Sequence, residues 1–113
     1  MEKEYFYIGH YIDQDDNYIL KIGTTNDLER RTKEHTRNYK KSPHSPLKNN
    51  CEFHMDWFIP LSKYNTLRIE DRTRENLKQI SIGQFIANDR FNCGKQAPSC
   101  IEVKIRKIYK IFL

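Results

Sequence analysis

Tyr7, Lys21, Arg31, His35 and Glu70 carry the side-chain chemistry that stands out in this chain. A phenol and an imidazole move protons, and an ammonium and a guanidinium clamp phosphates. A carboxylate holds a divalent cation. Gathered on one surface, these groups are the parts of phosphodiester hydrolysis. Their spacing favours such a gathering. Tyr5 and Tyr7 alternate onto one face of a strand, and Lys21 and Gly23 do the same on the next. Arg31 and His35 are one helical turn apart. Gly23 has no side chain, so a ligand can approach its backbone, with a helix start just beyond it.

The pattern predicts the elements that position these residues. Glu4–Ile12 reads as a strand, with Phe6, Ile8 and His10 on one face and Tyr5, Tyr7, Gly9 and Tyr11 on the other. Asp13–Asn17 has no apolar residue and reads as a hairpin turn into a second strand, Tyr18–Gly23. A helix follows over Leu28–Tyr39, with Asn26 as N-cap, Glu29 as its capping-box partner, and Leu28, Thr32, His35 and Tyr39 facing the core. Lys41–Asn50 is a loop, since Ser42-Pro43-His44-Ser45-Pro46 cannot continue a helix. Cys51–Ile59 alternates Phe53, Met55 and Trp57 against Glu52, His54 and Asp56 as a third strand that Pro60 ends. A second helix spans about 66–80 and carries Glu70. Ile82–Gly94 is ambiguous, with turn-like residues at Asn88-Asp89 and Asn92-Cys93-Gly94. The tail from Ile101 fits both periods, and Ser99 with Glu102 tips it to helix. The expected class is α+β: a small three-stranded antiparallel sheet flanked by helices, β-β-α-β-α plus a C-terminal helix, with residues 1–113 as a single domain.

Composition narrows the setting. A chain of 113 residues with 37% apolar residues can bury one modest core. No apolar run is long enough to span a membrane. The charged start, Met1–Tyr5, shows no signal peptide, so an intracellular location is expected. Three cysteines fit a reducing compartment better than a disulfide framework. The net charge of +5 suits a polyanion.

Each candidate also has a plain structural reading. Tyrosines are common in strands, Arg31 lies among other arginines, Glu70 sits in a run of ion pairs, and a lone helical histidine is often half-buried. A second cluster, Cys51, His54, Cys93 and Cys100, offers soft ligands for zinc. The six-residue gap between its last two cysteines is loose for such a site, and Cys51 and His54 fall on opposite strand faces.

The order and spacing of these motifs resemble the GIY-YIG nuclease superfamily over roughly residues 5–80. Tyr5-Phe6-Tyr7 looks like its first motif, with Tyr7 at the final tyrosine, and Lys21-Ile22-Gly23 looks like the second. The helix Asp27–His35 is similar to the one that follows, with the family arginine on Arg31 and the histidine on His35. His44 matches a further histidine of homing endonucleases. Glu70 falls where the metal-binding glutamate is expected, ten residues past Pro60. Lys21 replaces the second tyrosine of the family name, as in a phage- and virus-associated branch. The family's late asparagine has two candidates, Asn88 and Asn92.

The resemblance implies a metal-dependent endonuclease acting on DNA, duplex or branched, with RNA also open as a substrate. One Mg²⁺ or Mn²⁺ would sit on Glu70 and a phosphate oxygen. Tyr7, as a phenolate or through a water, would help deprotonate the attacking water. Arg31 with Lys21 would stabilise the pentacovalent phosphate, and His35 would assist as acid, base or donor. Gly23, Arg30, Lys33, Arg37, Lys40 and His44 would contact phosphate or nucleic acid. The alternative is a weak or inactive nucleic-acid-binding module on the same scaffold, which Lys21 and the unplaced asparagine favour. A basic protein-interaction domain is the third reading. No membrane partner is expected, and monomer and homodimer both remain open.

Overall fold

In the computed structural model, the residues described are 4–61, 68, 70–72, 74, 75, 84–86 and 90–95. They form β1 (Glu4–Ile12), β2 (Tyr18–Thr25), α1 (Leu28–Lys40), β3 (His54–Leu61), β4 (Gln84–Ile86) and β5 (Arg90–Asn92). Residues 68, 70–72, 74 and 75 are helical, within the expected second helix. The rest of that helix, Asn88, Cys100 and the expected C-terminal helix lie outside the described residues.

The class is α+β, as expected, but among the described residues the sheet has five strands rather than three. Its order is β3-β1-β2-β5-β4, and every pairing is antiparallel. The two added strands come from the ambiguous stretch 82–94. They are three residues each, too short for a period to show.

β1 and β2 close as a hairpin because Asp13 supplies the turn. Its carboxylate Oδ1 accepts from the backbone N–H of Asp15 at 2.9 Å and of Asn17 at 2.8 Å. The resulting register sets Tyr7 opposite Gly23 and Gly9 opposite Lys21. The sheet separates two cores. Phe6, Ile8, Leu20, Ile22, Phe91 and Cys93 fill one face; Tyr7, Tyr11, Ile19, Leu47 and Phe53 fill the other. Leu28 and Tyr39 bring α1 onto that second, tyrosine-rich face. The backbone N–H of Phe53 donates to Thr36 Oγ1 at 3.0 Å and ties the loop after α1 to the helix.

Three local expectations are corrected. The N-cap of α1 is Asp27, whose side chain accepts from the Arg30 N–H at 3.0 Å; Asn26 accepts from the Arg30 guanidinium instead. Asp27 is the residue with extended backbone next to the first helical turn, which is the geometry capping requires. Pro60 does not end β3, which continues to Leu61. β3 lies at the sheet edge, where a missing N–H costs no ladder bond. Finally, Phe53, Met55 and Trp57 do not share a face. Phe53 and Met55 belong with the tyrosine core and Trp57 with the other. A bulge causes the switch: Ile8 pairs with Trp57 and Gly9 with Met55, so Asp56 has no partner in the ladder. Asp56 turns to His10, 2.7 Å from its Nδ1.

Candidate active site

The sheet register and α1 bring Tyr7, Lys21, Arg31 and His35 together. The Tyr7 hydroxyl lies 2.6 Å from His35 Nε2, linking residues 28 positions apart. Arg31 also bonds to Tyr7, and it bonds to Glu34 at 2.9 Å. Burial works against the Arg31 charge, but the bonds to Glu34 and Tyr7 outweigh it and raise the guanidinium pKa further above its ordinary value. Its Nε is buried and has no hydrogen-bond partner among the described residues. That is a donor held in place for an acceptor oxygen, as a phosphate supplies.

Tyr7 is fully buried and Lys21 is 5% exposed. A cavity of about 500 Å³ opens beside them, lined by Lys21, Arg31, His35, Lys41, His44 and Arg90 among others. Among the described residues, four cations and no carboxylate line it, so it suits an anion. Tyr7 itself is not among the lining residues. His35 and Arg31 both line the cavity and bond to the Tyr7 hydroxyl, so they connect it to the cavity.

His35 is 3% exposed. Its pKa is pushed down from 6.5 to about 3, first by burial and then by the charges of Arg31, Lys21 and Arg90. The ring is therefore neutral at physiological pH, with one nitrogen bearing a proton and the other a lone pair. Tyr39 stacks on it at 5.0 Å with planes 5° apart.

Gly23 has a different role from the one its bareness suggested. A Cβ there would lie 2.5 Å from the Tyr7 hydroxyl oxygen and 2.7 Å from Cζ. The vacant space admits the Tyr7 ring, not a ligand. Strand pairing decides this, because Gly23 is the residue directly opposite Tyr7.

The remaining candidates separate. His44 lines the cavity. Lys33, Arg37 and Lys40 line a second groove on another side of α1, with Lys41 shared between the two. Arg30 is exposed and engaged with Asn26 and Glu34. Glu70, half-buried, is paired with Arg74 at 2.9 Å and does not line the cavity. Asn92 Oδ1 accepts from the Gly94 N–H at 2.9 Å, serving its own turn. The soft-ligand cluster does not form. Cys51 packs toward the tyrosine core and Cys93 in the opposite one, where burial pushes its thiol up to about 11. Among the described residues, no three His, Cys, Asp or Glu side chains lie together as a metal site.

Sequence reasoning missed Arg90. The one signal available was an arginine in a three-residue apolar alternation, Arg90-Phe91-Asn92, between two turn-like stretches.

The fold holds a buried phenol–imidazole–guanidinium set behind a cation-lined cavity. The chain belongs to the T5orf172 domain family, whose model matches residues 4–84, and that match suggests a nuclease-like or DNA-binding module. That domain is associated with the GIY-YIG, homing-endonuclease-like superfamily. No curated protein and no solved structure matches the chain. Among the described residues, no helix is long and apolar enough to cross a membrane.

Proposed function

We propose that this chain is a metal-dependent endonuclease that hydrolyses DNA phosphodiester bonds, of the branch that carries Lys-Ile-Gly in its second motif. One observation carries the reading. Among the described residues, the Tyr7–His35 bond and the unpartnered Arg31 Nε stand at a cavity whose charged lining is entirely cationic. A structural tyrosine needs no such company.

The scissile phosphate enters the cavity and takes the Arg31 donor. Lys21, nearly buried opposite Gly9, adds a point charge. Both cations stabilise the charge that grows as the phosphate becomes pentacovalent. Tyr7 acts through His35. The Tyr7 phenolate accepts from Arg31 and from His35 Nε2–H, and His35 Nδ1 takes a proton from the attacking water. Nε2 then passes its proton to the phenolate, so the water's proton ends on Tyr7 and the imidazole is neutral again. Burial first, and then the charges of Arg31, Lys21 and Arg90, hold the empty ring neutral; the phosphate's own charge offsets the second cause, so the ring becomes a better base once substrate is bound.

The donor chemistry fits a divalent ion of the magnesium type. Glu70 offers one hard carboxylate, the kind of sparse oxygen site that leaves most waters on the metal. The Glu70–Arg74 pair must open to admit it. Glu70 would hold the ion, and a bound Mg²⁺ or Mn²⁺ would supply Lewis-acid chemistry to the reaction.

The test is incubation of the purified protein with plasmid in Mg²⁺, Mn²⁺ and EDTA, beside Tyr7→Phe. Metal-dependent nicking that falls about 100-fold or more in Tyr7→Phe is the expected result. A salt-sensitive gel shift with no nicking would replace the enzyme with a binding module.

A further inference from the structure

Arg90 connects parts of the molecule that the rest of the site depends on. It stands on β5 opposite Lys21, 6% exposed, and lines the cavity. One terminal nitrogen, Nη1, donates to the Tyr11 hydroxyl at 2.5 Å and to the His44 carbonyl at 3.1 Å. The other, Nη2, donates to Ser42 Oγ at 3.2 Å. Its guanidinium carbon lies 4.8 Å from the centre of the Tyr39 ring. One side chain therefore grips β1, α1 and the loop after α1.

Each contact bears on the site. Ser42 and His44 line the cavity, and their loop carries a strained backbone at Ser45, whose φ is 49°. The loop is closed by the Ser42 hydroxyl donating to the His44 carbonyl at 2.7 Å, and it is tied to β1 by the Tyr11 hydroxyl donating to the Ser45 carbonyl at 2.7 Å. Tyr39 stacks on Tyr11 at 4.8 Å and on His35 at 5.0 Å. His35 in turn meets Tyr7. A line of contacts runs from Arg90 through Tyr39 to the His35 ring and the Tyr7 hydroxyl.

We propose that Arg90 is a positioning residue for the cleavage reaction: it fixes the Ser42–Ser45 wall of the cavity and, through the Tyr11–Tyr39 stack, the plane of the His35 ring. The proposal rests on the endonuclease reading above. The fork of a guanidinium is what lets one side chain reach three acceptors and a ring face at once. A lysine keeps the charge and loses that geometry. The consequence falls on the reacting groups, because small displacements at a site are costly to rate.

The test compares wild type, Arg90→Lys and Arg90→Gln by single-turnover plasmid cleavage in Mg²⁺, by thermal melting and by NMR of the imidazole protons. Arg90→Lys should melt close to wild type yet cleave at saturating substrate at least about 10-fold more slowly, with KM within about 3-fold. In both variants the ring-current-shifted His35 signals should move toward those of a free imidazole. If the Arg90 variants fail to fold, Tyr11→Phe removes one acceptor of Nη1 and keeps the ring, and it should move the same signals in the same direction. Unmoved His35 signals overturn the proposal, whatever the rate. A rise in KM alone also overturns it and makes Arg90 a direct phosphate ligand. So does an unchanged rate beside shifted signals. Should wild type fail to cleave, the endonuclease reading falls, and the His35 signals of the variants still decide whether Arg90 orders the ring.

Discussion

Replacing Gly23 with alanine tests the geometry at its tightest point. The new Cβ would sit 2.5 Å from the Tyr7 hydroxyl oxygen, 2.7 Å from Cζ and 3.1 Å from Cε1. Ordinary carbon contacts begin near 3.5 Å, so the ring must retreat by about 1 Å. It has no open space to enter, since Tyr7 is fully buried. The hydroxyl is also held by His35 at 2.6 Å, and a 1 Å displacement breaks that bond. Overpacking costs about 1–3 kcal/mol, and breaking the buried Tyr7–His35 bond costs about 1–3 more. The sum is on the order of 2–6 kcal/mol, a large fraction of a small domain's stability. At about 5 °C per kcal/mol, the melting temperature should fall by roughly 10–30 °C. Cleavage should fall about 100-fold in the protein that remains folded. Thermal melting, single-turnover cleavage and the His35 NMR signals measure the three effects. The double variant Tyr7→Ala with Gly23→Ala supplies the control: with no ring to meet, the added methyl should cost little, giving strong coupling in the cycle. A Gly23→Ala protein that melts within about 2 °C of wild type with unmoved His35 signals would refute the packing argument.

Three further outcomes follow from the same coordinates. His35 titrates near 3 in the folded protein against 6.5 unfolded, so the unfolded chain binds the extra proton and stability is lost as pH falls from about 6.5 toward 3. By pH 4.5 this amounts to roughly 2–3 kcal/mol, which urea unfolding should show in wild type and not in His35→Phe; parallel pH curves for the two would contradict the buried neutral ring. Asp27→Ala should destabilise the fold by about 1 kcal/mol while Asn26→Ala stays within about 0.5, as measured by urea unfolding, and the reverse order would restore Asn26 as the cap. Glu70→Gln should abolish cleavage with melting nearly unchanged, because the amide can still accept from Arg74; activity near wild type would remove Glu70 from the site.

The sequence carried the local parts of this molecule well. β1, β2 and α1 lie where alternation and helical spacing put them, because each is decided within a stretch of about ten residues whose polar and apolar faces are written in order. The meeting of Tyr7 with His35 and Arg31 was legible for the same reason, since a hairpin followed at once by a helix leaves few ways to pack. β4 and β5 were not legible, being three residues each. The bulge opposite Gly9 was equally hidden, because Asp56 loses its ladder partner through the match of two strands and not through its own neighbours.

The chain alone therefore determined which chemistry is available: a phenol, an imidazole, two phosphate-seeking cations and a carboxylate in a basic protein. Tertiary structure decided how they are used. It gave the gap at Gly23 to the Tyr7 ring, and it placed Lys33, Arg37 and Lys40 on a different groove from Arg31. It also set Arg90, 79 positions from Tyr11, at the join of loop, helix and sheet. Volume and burial belong to space, and residues distant in sequence fill that space only after the backbone has closed around them.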